Sequence, residues 1–508
     1  MVTIEAVGNG GAYMNMDLTQ ARSTATLQEE SPMTLAPDTK IVVIGLDCAE
    51  PTLVFDRYAD RLPNLTRLRN AGAWGTLRSS DPPITVPAWM SMMSSKDPGT
   101  LGYYGFRNRA DRSYEKMTTA TSLAVKEPLL WDYLGAADKK VVMIGVPQTY
   151  PTRQVNGLMI TDFLTPSIES NYTYPPELKA EIAGWPDVHP YEFDVSDFRT
   201  PDKGKIRDAL VRMTDKRFAL ARRLMTGKPW DFFMMVEMGT DRVHHAFWQY
   251  MDPAHHRYKP GNPYESVIGD YYVHVDKKIG ELLEFVPDDA YVIVVSDHGA
   301  QRMDGGIAIN EWLIQQGYLV LKEVPTVPSR LEGLKVDWVK TTAWGSGGYY
   351  GRLFLNVQGR EPHGLIPPEK YEATRDKLIA ELEALGDPAG RPIGTRVLKP
   401  ENLYKTVRGI APPDLFVYFG DLRWRSVGTV GTGLIHTFEN DTGPDDANHA
   451  PEGMIILTGP EITHAGPIHG MQLMDVTPTV LKLFGIDVPA DLQGKVIEAA
   501  VPGIAAVR

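Results

Sequence analysis

Acidic and histidine side chains follow three apolar segments that lie far apart in the chain. One segment runs directly into Asp47, and another is followed by Asp241 and then by His245. The third segment ends in the pair Asp297-His298. Buried charges cost free energy unless they are paired or coordinate a metal. Because carboxylates and imidazoles both bind divalent cations, these segments together predict one metal-centred active site.

A proline-rich segment adds a candidate nucleophile, Thr85. Prolines on both sides of Thr85 restrict its backbone, and residues 88–95 could form a helix whose N-terminus favours a phosphoryl group. A threonine hydroxyl is a weak nucleophile until it loses its proton, which a metal ion promotes at neutral pH. The alternative interpretation is a proline-rich turn in which Thr85 only caps the helix.

The elements that must position these side chains alternate along the chain as apolar strands and amphipathic helices. Strands are predicted at 40–46, 140–145, 157–161, 231–237, 291–296 and 453–458. Helices are predicted at 62–72, 206–225 and 264–283. This alternation is typical of an α/β fold with a doubly wound, mostly parallel sheet flanked by helices. Such sheets bind ligands outside the carboxyl ends of their strands, where Asp47, Asp241 and Asp297 fall.

Two stretches depart from this alternation and predict insertions. Residues 319–434 combine short β-like runs, a charged helix and Pro/Gly turns, and we interpret them as an inserted α+β cap domain. Residues 99–126 are rich in Tyr, Arg and Asn and are interpreted as a lid. The catalytic core then comprises 38–318 and 435–500, and residues 1–37 are predicted to be a flexible tail.

Composition limits the classes of protein. A chain of 508 residues, 43% hydrophobic and 23% charged, is an ordinary globular protein with ample core. Its net charge of −12 argues against a nucleic-acid polymer or an anionic membrane as partner. No apolar run is long enough to cross a bilayer, and the first 37 residues lack a signal core, so we expect a cytoplasmic protein. The lone cysteine, Cys48, excludes an intramolecular disulfide, and we interpret it as a small buried residue in a turn.

Taken together, the motifs resemble the alkaline-phosphatase superfamily, specifically its type I phosphodiesterase/nucleotide pyrophosphatase branch. The resemblance is carried by Gly45-Leu46-Asp47, Thr85-Val86-Pro87, Asp241 with His245, Ser296-Asp297-His298-Gly299, and His449 ahead of Pro451-Glu452-Gly453. These motifs occur in the order of the family and span about 40–497. Each motif is weak alone, but five in order form a strong pattern.

The resemblance implies two divalent metal ions, expected to be zinc, with manganese as the alternative. Carried over to the matching positions, one ion would be held by Asp47, Thr85, Asp297 and His298. The other ion would be held by Asp241, His245 and His449. For the last of these positions, His436 and His469 remain competitors.

The resemblance also implies hydrolysis of a small-molecule phosphate ester, most simply a phosphodiester, through a phospho-threonine intermediate on Thr85. A phosphomonoesterase or a phosphomutase with the same site remains an alternative. A non-catalytic module with a structural metal is disfavoured, because structural zinc sites are usually closed by four protein ligands. Where many nucleotide pyrophosphatases have an Asn shortly after the nucleophile, this chain has Ala88. A bacterial phosphohydrolase and phosphomutase-like subgroup is more similar there, and also at Asn310-Glu311-Trp312-Leu313.

Residues outside the ligand set are candidates for substrate contact. Arg107 and Tyr104 lie in the predicted lid, and His469 lies near the end of the core. Their neighbours Tyr103 and Arg109 are open to the same interpretation, and all four lid residues are equally compatible with an ordinary surface. A glycine-rich stretch at 345–348 lacks the following Lys of a phosphate-binding P-loop and is interpreted as a flexible loop.

Overall fold

The computed structural model describes residues 38–460, 462 and 464–500. The predicted tail at 1–37 lies outside these residues. The strands are β1 (Ile41–Leu46), β2 (Ala73–Arg78), β3 (Arg107–Arg109), β4 (Met117–Thr119), β5 (Val141–Ile144), β6 (Gly157–Ile160), β7 (Thr173–Tyr174), β8 (Phe232–Glu237), β9 (Tyr291–Val295), β10 (Gly299–Arg302), β11 (Gly305–Ala308), β12 (Ala343–Ser346), β13 (Gly351–Leu355), β14 (Arg396–Leu398), β15 (Leu415–Tyr418), β16 (Trp424–Val427), β17 (His436–Thr437), β18 (Ala447–Ala450), β19 (Glu452–Thr458), β20 (Gly466–Pro467) and β21 (Met471–Gln472).

The helices of the described residues lie between the strands along the chain. They are α1 (Pro63–Ala71), α2 (Thr85–Ser94), α3 (Pro98–Leu101), α4 (Leu130–Ala136), α5 (Leu178–Ala183), α6 (Lys203–Gly227), α7 (Gly239–Met251), α8 (Val267–Leu283), α9 (Ile309–Gln315), α10 (Tyr371–Glu383), α11 (Pro400–Leu403) and α12 (Val476–Leu483). All six strands and all three helices predicted from the sequence are present, with boundaries shifted by a few residues.

A ten-stranded sheet forms the centre of the described fold, in the order β20-β2-β19-β9-β1-β8-β5-β6-β7, with β21 beside β2. Strand β1 pairs in parallel with β8 and β9, and β5 pairs in parallel with β8 and β6. Strand β19 is antiparallel to β9 and β2. The predicted α/β fold with a mostly parallel sheet flanked by helices is therefore confirmed.

Burial on both faces explains why the central strands are continuous apolar runs. Val42 and Ile44 of β1 pack with side chains of α1, α6, α7 and α8 on one face of the sheet. Ile41 and Val43 pack with α2, α4 and α12 on the other face. A strand covered on both faces has no polar side, so its β-branched residues form an unbroken sequence rather than an alternating one.

Strand direction brings the candidate residues to one edge of the sheet. The parallel strands β1, β8 and β9 all end at their carboxyl edge, next to Asp47, Asp241 and Asp297. Because β19 is antiparallel to β9, the residues that precede β19 reach the same edge. His449, on β18, lies opposite Ala300 in the β10–β18 pair, directly after the Asp297-His298 segment.

The segment interpreted as a cap contains its own four-stranded sheet, in the order β12-β13-β15-β14, with antiparallel pairs throughout. Strand β16, inside the segment at 319–434, pairs with β11, which precedes it. The domain boundaries at 319 and 434 therefore stay a prediction.

The segment interpreted as a lid forms the hairpin β3–β4, and Tyr114 at its tip stacks on Trp338 with ring centroids 3.7 Å apart. Its function as a lid stays a prediction, as does a cytoplasmic location. Within the part of the chain that the structure describes, none of the helices has the length and apolarity to cross a bilayer.

Candidate active site

The first group of candidate ligands is Asp47, Asp297 and His298, all buried. The Nε2 atom of His298 lies 3.2 Å from Oδ2 of Asp297 and 3.8 Å from Oδ1 of Asp47. Those two carboxylate oxygens have no hydrogen-bond partner among the described residues. Buried carboxylate oxygens without hydrogen-bond donors fit a bound cation, because a cation compensates the negative charge that water cannot solvate there.

The second group is Asp241, His245 and His449, also buried. The Oδ1 atom of Asp241 lies 3.2 Å from Nε2 of His245 and 3.5 Å from Nε2 of His449. Asp241 and His245 are four residues apart on α7 and share one face of this helix. The same oxygen of Asp241 has no hydrogen-bond partner in the described part of the chain, so this group fits a second cation.

The electrostatics of both groups favour positive charge. Burial, with the repulsion of Asp241 added, raises the pKa of Asp47 well above its usual value. Burial and the charge of Asp47 do the same to the pKa of Asp297. Burial lowers the pKa of His298 and of His449, which keeps both imidazoles in the neutral form that binds metals. Although burial opposes the shift, Asp445 and Asp241 raise the pKa of His245 to about 9, so a cation that binds this imidazole has to displace its proton. The acids and the two neutral imidazoles match the chemistry of divalent cations.

The two groups adjoin, and Thr85 lies where they meet. The rings of His298 and His449 stack with centroids 3.8 Å apart. The Oγ1 atom of Thr85 lies 3.4 Å from Nε2 of His298. Thr85 is the first residue of α2 and borders a cavity of about 490 Å³, together with Asp241 and His449. An ester phosphate in this cavity would be in reach of the Thr85 hydroxyl and of Asp241 and His449 of the second group.

Contacts on the far side of each imidazole set its orientation. The Nδ1 atom of His245 lies 2.7 Å from Oδ1 of Asp445. The Nδ1 atom of His449 lies 2.9 Å from the carbonyl oxygen of Pro83, and that of His298 lies 3.1 Å from the carbonyl oxygen of Gly299. A proton on each Nδ1 leaves the Nε2 lone pair free to bind a cation, as metal-binding histidines require.

The carboxylate of Asp47 is oriented by Trp89 of α2. The Nε1–H group of Trp89 donates to Oδ2 of Asp47 at 2.7 Å, which leaves Oδ1 free. Gly45 permits this contact, since a Cβ there would lie 2.5 Å from Cη2 of Trp89. The glycine of the Gly45-Leu46-Asp47 motif thus allows α2 to approach β1.

We expect Asp445→Asn to weaken metal binding at the second group by about 10- to 100-fold, because the carboxylate orients His245 and strengthens it as a ligand. A competition titration of zinc against a chromophoric chelator measures this affinity. Asp288→Asn, in the exposed loop before β9, is the control. Equal zinc affinities for wild type and Asp445→Asn would contradict the assignment.

Some predicted residues lie elsewhere. Tyr104 is buried in a cluster of aromatic residues, and its hydroxyl donates to the carbonyl oxygen of Arg408 at 2.6 Å, so the structure favours packing over substrate contact. His469 is exposed on the loop between β20 and β21 at the edge of the sheet. His436 lies on β17 with its Nε2 atom 2.7 Å from the carbonyl oxygen of Gly386. The structure brings neither histidine into the ligand groups, whereas His449 is in one.

Other predicted residues have clear surroundings. Arg107 borders the cavity beside Thr85. Arg109 is buried 3.5 Å from Glu361, and Tyr103 belongs to the hydrophobic core. Cys48 is buried in a turn with its Sγ atom 3.3 Å from the carbonyl oxygen of Gly299, as its interpretation as a small packing residue predicts.

Sequence reasoning missed the residues that support the ligands. Tyr349 stacks on His245 with ring centroids 4.9 Å apart, and Arg242 donates to Asp241 and Asp194. Asp445 receives hydrogen bonds from two arginines besides its contact with His245. The sequence offers one signal for them, the acidic pair Asp445-Asp446 just ahead of His449. This pair does not show that Asp445 contacts His245.

The fold and this site together place the chain among the metal-dependent phosphohydrolases of the alkaline-phosphatase superfamily. A model of the family described as type I phosphodiesterase/nucleotide pyrophosphatase matches residues 41–445, and the chain belongs to this family. The match includes Asp445 and every predicted metal ligand except His449, which lies just beyond its end. No curated protein matches the sequence of this chain.

Solved structures with this fold include two ectonucleotide pyrophosphatases/phosphodiesterases. Human ectonucleotide pyrophosphatase/phosphodiesterase 5 is 12% identical, with a TM-score of 0.50, covering 89% of this chain and 96% of its own. The murine protein is 13% identical with a TM-score of 0.51 and the same coverage, and one of its structures is an inactive Thr-to-Ala variant in complex with AMP. At this identity the likeness concerns the fold.

Proposed function

We propose that this protein hydrolyses a small phosphate ester, with a phosphodiester as the preferred class, by attack of Thr85 on phosphorus. The observation that carries the proposal is the position of the Thr85 hydroxyl, which borders an open cavity at the junction of two buried ligand groups. A purely structural metal site needs neither the cavity nor the hydroxyl.

Two divalent cations are part of this proposal, with zinc expected from the acid and imidazole donors and manganese as the alternative. Asp47, Asp297, His298 and Thr85 would hold one, and Asp241, His245 and His449 would hold the other. When bound, they would supply Lewis acidity to the reacting oxygens and lower the pKa of the Thr85 hydroxyl.

The protein's own groups would carry the remaining chemistry. The Oγ1 atom of Thr85 forms a bond to phosphorus as the ester oxygen departs, and water then cleaves the phospho-threonine and restores the hydroxyl. The N–H groups of Thr85 and Val86 at the start of α2 have no acceptor within the helix and favour the negative phosphoryl oxygens. Asp445 and Trp89 keep His245 and Asp47 in place throughout.

The charge of the cavity supports an anionic substrate. Although the protein carries a net charge of −12, the cavity has five arginines in its wall. They are Arg107, Arg199, Arg242, Arg352 and Arg425. Local positive potential raises the concentration of an anionic substrate at the site even when the net charge is negative.

A nucleotide is one candidate for the organic part of the substrate, since the murine relative is seen in complex with AMP. Phe163 and Phe198 of the cavity wall add apolar surface for the organic group. Ala88 stands where many nucleotide pyrophosphatases have an Asn that binds the phosphoryl group. Phosphodiesters other than nucleotides are therefore also candidate substrates. A phosphomutase with the same site would return an isomer of its substrate rather than two products.

We expect the purified protein with zinc or manganese to hydrolyse bis-p-nitrophenyl phosphate with a higher kcat/KM than p-nitrophenyl phosphate. Release of p-nitrophenolate measures both rates, and the p-nitrophenyl ester of thymidine 5′-monophosphate tests the nucleotide class in the same assay. Preference for the monoester would contradict the diester proposal. Formation of a substrate isomer, followed by phosphorus NMR with natural monoesters, would support the mutase instead.

A further inference from the structure

The cavity beside Thr85 continues into a second, outer cleft of about 240 Å³ between the β3–β4 hairpin and the 319–434 segment. The two spaces share part of their walls. The shared residues are Arg107, Gly347, Gly348, Arg352, Arg425 and Thr442. A substrate with its phosphorus near Thr85 therefore has room to extend past these residues into the outer cleft. The charge of these residues then determines which chemical group of the substrate fits beside them.

Arg352 is a buried cation at this junction, with only 8% of the residue exposed. Its guanidinium donates to the carbonyl oxygen of Arg107 and to the hydroxyl of Ser346, which are both neutral. No carboxylate pairs with Arg352 within the described ranges of the chain. A buried charge without a counter-ion is costly, so this position favours an anion from outside the protein.

Arg107 is the second cation of the junction and is exposed. It too has no carboxylate partner among the residues that the structure describes, in contrast with the other arginines of the cavity. Arg242 pairs with Asp194 and Asp241, and Arg199 and Arg425 share Asp445. The unbalanced positive charge of the cavity is thus concentrated where it opens into the outer cleft.

The glycine-rich stretch at 345–348 forms the edge between the two spaces. A Cβ at Gly347 would lie 2.4 Å from the backbone nitrogen of Gly428, so only glycine lets these two segments come together. Gly347 and Gly348 also border both spaces with backbone alone. The stretch therefore narrows the junction without filling it, and a group that passes through comes close to Arg352.

We propose that Arg352 and Arg107 form a second anion subsite, and that the natural substrate is a phosphate ester whose organic group carries a further carboxylate or phosphate. This inference rests on the proposed function, because it concerns the substrate of the same site. Carboxylate and phosphate both accept the paired N–H donors of a guanidinium, and the planar fork of arginine fits either one.

The test compares three diesters that differ in one terminal group. They are propyl, 2-carboxyethyl and 2-phosphonoethyl p-nitrophenyl phosphate, assayed on the zinc-loaded protein. We expect kcat/KM to be about tenfold or more higher for one or both anionic esters than for the propyl ester, as a charged hydrogen bond provides. The preferred terminal group distinguishes a carboxylate from a phosphate.

Variants connect this preference to the two arginines. Arg352→Gln and Arg107→Gln should each lower the ratio of anionic to neutral kcat/KM by about tenfold, and Arg352→Lys should retain part of the ratio because it keeps the charge. Arg207→Gln, an exposed arginine on α6, is the matched control and should leave the ratio unchanged. Arg107 is exposed, so its variant tests the subsite even if Arg352→Gln fails to fold.

A direct binding measurement separates this inference from the proposed function. Calorimetry should give a Kd for 2-carboxyethylphosphonate or ethane-1,2-diphosphonate at least about tenfold lower than for propylphosphonate, and Arg107→Gln should remove the difference. Equal kcat/KM for the three esters, or equal Kd values when no ester is hydrolysed, would overturn the anion subsite. Hydrolysis of all three esters at equal rates would leave the proposed hydrolase intact.

Discussion

Replacement of Thr85 by alanine is expected to reduce kcat for a phosphodiester by about 10³-fold or more, with both metal equivalents retained. The hydroxyl is the proposed nucleophile, and alanine has no atom that can bond to phosphorus. Thr85 is 3% exposed and its backbone begins α2, which alanine also accommodates, so the fold should persist. Turnover of bis-p-nitrophenyl phosphate and metal content by inductively coupled plasma mass spectrometry provide the two readouts.

Thr85→Ser is the matched control for this prediction because it keeps the hydroxyl and removes one methyl group. It should retain far more activity than Thr85→Ala, and a trapped phospho-serine or phospho-threonine in an acid-quenched reaction would identify the intermediate by mass. If Thr85→Ala turned over at a rate near that of wild type, the nucleophile would be another group. Loss of metal together with activity in Thr85→Ala would instead mark Thr85 chiefly as a ligand.

Asp297→Asn is expected to remove at least one metal equivalent and with it nearly all activity. The Oδ2 atom of Asp297 lies 3.2 Å from Nε2 of His298 with no donor of its own, and an amide at this position loses the negative charge. Its other oxygen accepts the N–H group of Cys48 at 3.2 Å, which an asparagine oxygen can still do. Metal analysis after dialysis gives the result, with Asp288→Asn in the exposed loop before β9 as control.

Asp297→Asn should affect the unfolding temperature differently with and without metal. In the metal-free protein, Asp297→Asn removes repulsion between two buried carboxylates, so its unfolding temperature should be equal to or above that of wild type. With zinc, wild type should gain more stability than the variant, because a ligand that binds only the folded state stabilises it. An unchanged metal content, or an equal gain from zinc in both proteins, would count against Asp297 as a ligand.

Much of the core was predictable because its signals are local. The run Ile41–Leu46 is apolar and rich in β-branched residues, which indicates a strand buried on both faces, and the structure confirms it. Asp241 and His245 are four residues apart on a predicted helix, so their shared face follows from helical periodicity alone. The antiparallel pairing of β2 with β19 was harder to predict from the sequence, because the two strands lie far apart in the chain.

Substrate contacts were less predictable than ligands. Tyr104 and Arg107 of the lid segment were both candidates for substrate contact, with an ordinary surface position as the alternative. In the structure the Tyr104 hydroxyl donates to the carbonyl oxygen of Arg408, while Arg107 borders the cavity. The direction in which a side chain points from an irregular segment depends on what packs against it. Here the partners are Tyr404 and Phe416, which are about 300 positions away, so no local pattern reports them.

By itself, the sequence determined the class of fold and the chemical nature of the candidate ligands, because both depend on residue types within a few positions of one another. It also determined the family, because the order of five short motifs can be read directly along the chain. Only the tertiary structure decided how these ligands are held and what else faces the substrate. The contact of His245 with Asp445 joins residues 200 positions apart, and the donation from Trp89 to Asp47 joins two different elements. That no carboxylate of the described residues pairs with Arg352 is likewise a property of its neighbours in space. Such long-range contacts arise when the chain folds, and local sequence patterns carry no record of them.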